Sequence, residues 1–156
     1  MPKKLLKMHL LEILEGSAVH CGIEQAIGNI PFEYWGKKTK KMPHTLFELF
    51  EHIRYANKDI LEYITDPHYK AGNWPEDYWP ENKKPKSPEE LKEKIQALHL
   101  DMKAIKKMLM RKPLLDPLPY GKKSHTLTRE VMILSNHLAY HLGQFVLVRR
   151  LLDIWD

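Results

Sequence analysis

The sequence predicts an all-α fold, four helices packed around one core. Two observations carry this. Four separate segments place apolar residues three, four and seven positions apart, the period of a helix buried on one face, whereas no segment shows convincing period-2 alternation. Each segment also opens or closes on residues that start or stop helices, and one core shared by four helices is the economical way to bury four such stripes.

The first segment runs from about Lys3 to Ile27, with Leu6, Leu10, Ile13, Leu14, Ser17 and Ala18 on its stripe. Gly28-Asn29 followed by Pro31 marks its end. The second opens at Thr45, with Glu48 three residues on, which makes a capping box. Leu46, Leu49, Phe50, Ile53, Asn57, Ile60, Leu61 and Ile64 then fall within a sector of roughly 120°, and Asp66-Pro67 closes it. The third starts at Ser87-Pro88-Glu89-Glu90, where Ser87 caps, Pro88 suits the first helical position and Glu90 completes a second capping box. Leu91, Ile95, Leu98, Met102, Ile105 and Leu109 form its inner face. The fourth spans about Thr126 to Leu152, roughly 40 Å of helix. Leu127, Val131, Leu134, Leu138, Leu142 and Phe145 line one side, and Ile133, Tyr140, Leu147 and Leu151 widen the arc. The connection from about Asp66 to Lys86 holds Trp74, Tyr78, Trp79 and four prolines, which predicts an ordered crossover.

A length of 156 residues suits one domain, 1–156, with one core. At 43% hydrophobic and 29% charged residues, there is enough apolar surface to offset chain entropy, which excludes disorder as the main state. Cys21 is the only cysteine, so no disulfide scaffold forms within the chain, and the usage fits a reducing compartment. No apolar run reaches the roughly 18–20 residues of a bilayer span. Lys7, His9, Glu12 and Glu15 interrupt the N-terminal leucines, so no signal peptide is expected and the chain reads as cytoplasmic. The net charge of +5 permits nucleic-acid binding without arguing for it. The lysines of the third helix alternate with Glu89, Glu90, Glu93 and Asp101, the pattern of a solvated face, and no nucleic-acid partner is expected.

Nine histidines draw attention to metal chemistry. His137 and His141 stand one helical turn apart on the fourth helix, about 5–6 Å at Cβ, where two imidazoles can bind one divalent ion. The spacing alone is weak, since a chain of this composition yields roughly half such a pair by chance. Position strengthens it: His141 falls inside the apolar stripe and His137 on its margin, and a buried imidazole without partners costs free energy. Gln144 shares their face and is placed to support a ligand. Glu130 lies two turns away, too far for joint ligation. A third ligand has to come from another helix. His52, on the flank of the second helix, is the best placed, the alternative being a half-exposed histidine beside Glu51. His44 and His125 sit at helix starts, where imidazoles serve as plain polar residues. His9, His20, His68 and His99 have no partner at ligand spacing. Trp74, Tyr78 and Trp79 either roof a substrate pocket or pin the long loop to the core.

At these residues the chain resembles the DinB-like (YfiT-like) proteins. The resemblance rests on His137-Leu-Ala-Tyr-His-Leu-Gly-Gln144 and on Pro43-His44-Thr-Leu-Phe-Glu-Leu-Phe-Glu-His52. Asn73-Trp-Pro-Glu-Asp-Tyr-Trp-Pro80 and the ending Arg149-Arg150-Leu-Leu-Asp-Ile-Trp155 look like one subgroup of that family. The resemblance implies an up-up-down-down four-helix bundle and a divalent metal, often nickel or zinc, held by three histidines, which map onto His52, His137 and His141. It further implies a metal-dependent enzyme, possible activities including S-transfer from a low-molecular-weight thiol to a small electrophile, and a homodimer. Gln144 and Tyr140 are expected beside the ligands, with Trp74 and Trp79 lining the pocket. The competing expectation is a non-catalytic, metal-stabilised dimer that binds a ligand or a protein partner. An open coordination position favours catalysis and a closed one a structural role.

Overall fold

The computed structural model describes residues 2–16 and 19–155. The described residues form five helices: α1 Pro2–Glu15, α2 Ile23–Ile27, α3 Leu46–Thr65, α4 Pro88–Arg111 and α5 Leu127–Leu151. Short 3-10 turns lie at Phe32–Tyr34 and Glu76–Tyr78. Among the described residues there is no strand, only an isolated bridge between Pro117 and Thr126.

The expected first helix is two. Gly16 stops α1, adopting the left-handed φ of +73° that suits glycine after a helix end. The chain resumes as the single short helix α2. Leu10 and Leu14 are buried as expected, but Leu6 and Ile13 are 38% and 55% exposed, because α1 covers the core with a narrower stripe than its leucines suggest. Ser17 and Ala18 lie outside the described residues.

Local chemistry explains the remaining starts. Thr45 accepts from Glu48 N at 3.1 Å while Glu48 Oε2 accepts from Thr45 N at 2.8 Å, a complete capping box. Ser87 accepts from Glu90 N, yet Glu90 Oε2 accepts from Lys86 N, so the second box is not reciprocal and Ser87 is a plain N-cap. Thr126 caps α5. On α5 the inner residues Leu127, Val131, Leu134, Leu138, Leu142 and Phe145 are buried, whereas Ile133, Tyr140 and Leu147 face outward. By length and composition α5 also meets the requirement for a membrane span, contrary to the sequence expectation, but a core helix meets it equally. Here its apolar side belongs to the core that joins α1, α3, α4 and α5. Trp35, from the connection before α3, is wedged into that core edge-on to Phe50 and Phe145.

Cross-helix pairs define the directions. His52 meets His141 and Tyr63 meets His125, so α3 and α5 are antiparallel. Lys94 meets Glu51, and Asp101 lies in the field of Lys58 and Arg54, so α3 and α4 are parallel. Lys7 bonds the carbonyls of Met110 and Lys112, and Lys106 meets Glu15, so α1 opposes α4. In chain order the long helices run up, down, down, up, a correction to the up-up-down-down order. The reason is the segment between α3 and α4, which runs back along α3. Tyr69 bonds Asp59, the Tyr78 carbonyl bonds His52, and the Lys83 carbonyl bonds Thr45, successively nearer the start of α3.

Candidate metal centre

The antiparallel pairing of α3 and α5 brings His52, two turns into α3, against the H-x-x-x-H pair of α5. The Nε2 atoms of His137 and His141 each stand 3.1 Å from Nε2 of His52. One ring nitrogen from each residue lies within 4.8 Å of the other two, and among the described residues no other group of three or more His, Cys, Asp or Glu gathers in this way. His52 is 1% exposed and His141 7%. Glu130 is elsewhere: it is buried, bonded to Arg129 and 3.6 Å from His125.

Two of the three tautomers follow from the surroundings. His52 Nδ1–H donates to the Tyr78 carbonyl at 2.8 Å, and His141 Nδ1–H donates to Gln144 Oε1 at 2.8 Å. Both Nε2 atoms are therefore bare lone pairs, and they face each other. His137 Nδ1 is buried without a partner among the described residues. Burial first, and the neighbouring imidazoles second, hold His137 down at about 3 and His141 at about 4; burial also lowers His52, against the hydrogen bond it donates to the Tyr78 carbonyl. The three rings are therefore neutral at pH 7, the state a metal ligand needs.

Facing lone pairs 3.1 Å apart repel unless a positive charge lies between them. Two nitrogens each about 2.0–2.1 Å from a tetrahedral ion stand about 3.3 Å apart. The spacing, the tautomers and the neutral rings all fit a divalent ion, so this cluster could hold one. No fourth His, Cys, Asp or Glu among the described residues joins the group.

Aromatic rings surround the cluster. Trp79 stacks on His52, centroids 4.0 Å apart and planes 4° apart. Trp74 lies 6.0 Å from His52 and Tyr140 stands edge-on to His141 at 4.8 Å; their residues are 66% and 65% exposed. Tyr140, about 100° from His141 by helical angle as its immediate neighbour in sequence, still meets that ring edge-on.

Sequence reasoning missed two participants. Tyr78 contributes through its backbone carbonyl, which no side-chain pattern reveals. His44 stacks on the outer face of Trp79, centroids 4.1 Å apart. Its only signal was an imidazole one residue before a helix cap, in a chain whose long loop is rich in tryptophan.

No curated protein and no solved structure matches the chain. A family model for the DinB superfamily matches residues 22–145, a stretch that contains α2 to α5 up to Phe145 and all three histidines. The match covers most of the 156 residues, and the chain belongs to the DinB superfamily.

Proposed function

We propose that this chain is a cytoplasmic metal-dependent enzyme that transfers a low-molecular-weight thiol to an electrophilic small molecule. The observation that carries the metal reading is the convergence of three Nε2 atoms, two of them with Nδ1–H already committed to Tyr78 and Gln144. His52, His137 and His141 would hold the ion, nickel or zinc. When bound, such an ion lowers the pKa of a thiol or water in its open position, so that a nucleophile forms near neutral pH.

The chain's own residues supply the rest. The Tyr78 carbonyl and Gln144 keep two imidazoles in the ligating tautomer and orientation. Trp74 and Tyr140 present ring surface beside the cluster against which the carbon skeleton of a substrate can lie. In the transfer, the thiol proton leaves to solvent and sulfur bonds the electrophilic carbon. The leaving group departs with its electron pair. The outward apolar residues Ile133 and Leu147 of α5 support the homodimer that the resemblance implies, and sedimentation equilibrium reads that state directly.

Elemental analysis of protein purified without a histidine tag tests the reading. Wild type is expected to carry about one nickel or zinc per chain and His137→Ala well under half of that. Equal metal content in both removes the site. Thiol-dependent loss of monochlorobimane by the metal-loaded protein tests the transfer, and inertness toward a broad thiol panel counts against it.

A further inference from the structure

Consecutive residues of the crossover segment hold one imidazole in two different ways. The Tyr78 carbonyl takes the His52 Nδ1–H at the ring edge, while the Trp79 ring lies flat on the His52 face. His44, the residue before the cap of α3, lies on the other face of Trp79 with 16° between planes. Three rings from two parts of the chain thus form one stack in the order His44, Trp79, His52.

Centroids 4.0 and 4.1 Å apart with planes 4° and 16° apart put each pair of rings in flat contact. This contact constrains what a hydrogen bond leaves free. The bond to Tyr78 directs Nδ1 but allows the ring to rock about the N–H···O line. A flat neighbour removes that rocking, and the Nε2 lone pair stays aimed at the space between His137 and His141. Among the described residues, neither of those rings has a flat ring contact. His141 meets Tyr140 edge-on at 87° and Trp79 at 79°, and His137 lies tilted by 56° and 57° to the other two imidazoles.

We propose that Trp79 is a positioning residue for the metal centre, with His44 as its backstop, so that the crossover segment and ion binding are coupled. This rests on the metal reading above. Neither side chain touches the ion; both act through the orientation of His52.

Cobalt(II) and zinc titrations of the full chain test it, with affinity from chelator competition and geometry from the visible cobalt spectrum. Trp79→Leu is expected to weaken binding about 10–100-fold, the usual cost of losing a group that orients a ligand, and to alter the cobalt spectrum. His44→Ala is expected to show a smaller loss in the same direction. His44→Phe, which keeps a flat ring without its nitrogens, is expected to restore both readouts. A merely structural role would lower the melting temperature of the chelator-treated protein and leave cobalt affinity and spectrum unmoved, and that result overturns the proposal. A wild type that takes up no cobalt overturns the metal reading and this inference together. A wild type that binds cobalt beside Trp79→Leu and His44→Ala variants with unchanged affinity and spectrum overturns this inference alone.

Discussion

Replacing Gln144 by Leu isolates the value of one hydrogen bond to the metal centre. Gln144 Oε1 accepts from His141 Nδ1 at 2.8 Å, one turn along α5. Leucine keeps the bulk and the helix propensity but offers no acceptor. Without metal, the His141 ring escapes the loss by moving its proton to Nε2. With metal it cannot, because Nε2 has to be bare, and Nδ1–H is left buried in a residue only 7% exposed. An unsatisfied buried donor costs about 1–3 kcal/mol. Because that cost falls on the metal-bound state alone, it converts to an affinity loss of about 5- to 150-fold. Chelator competition with zinc measures it directly. Gln144→Glu, which keeps an acceptor, is expected to bind zinc at least as tightly as wild type. If Gln144→Leu binds within twofold of wild type, His141 is not ligating through Nε2 and the tautomer argument fails.

Acidification, a buried charge and a core aromatic give further tests. His137 at about 3 and His141 at about 4 lie below the ordinary 6.5, so between those values the folded state binds fewer protons than the unfolded chain. Metal-free stability is therefore full above pH 6.5 and falls as pH drops toward 4; equal urea midpoints at pH 7.5 and 5.0 would contradict this. Glu51 is 1% exposed and receives Arg54 at 2.6 and 3.0 Å and Lys94 at 2.7 Å. Glu51→Gln strands those cations and is expected to cost about 3 kcal/mol, a fall of roughly 6–12 °C in melting temperature. A fall under 2 °C would mean that water already screens the group. Phe50 is fully buried edge-on to Trp35 at 5.5 Å. Phe50→Ala is expected to cost about 3–5 kcal/mol by urea denaturation, and a loss below 1 kcal/mol would show that the neighbouring helices close over the gap.

Much of the helical scaffold is legible because its causes are local. The Thr45/Glu48 box, the Ser87 and Thr126 caps and the stripes of α3, α4 and α5 each depend on residues a few positions apart. The first helix shows the limit. Gly16 is tolerable inside a helix and excellent after one, and the choice was made by a chain that leaves α1 there with φ +73°. The chain directions were not legible either. They depend on the 66–87 segment folding back along α3, through bonds from Tyr69, Tyr78 and Lys83 to residues 10 to 38 positions away.

The candidate centre divides in the same way. Sequence by itself determined that His137, His141 and Gln144 share a helix face, because helical period alone brings residues three, four and seven apart together. Only the tertiary structure decided that His52, 85 and 89 positions away, closes the triangle, that a backbone carbonyl chooses its tautomer, and that Trp79 and His44 stack against it. The physical reason is range: helical spacing acts over one or two turns of one helix, whereas the meeting of α3, α5 and the returning loop depends on how the whole core packs.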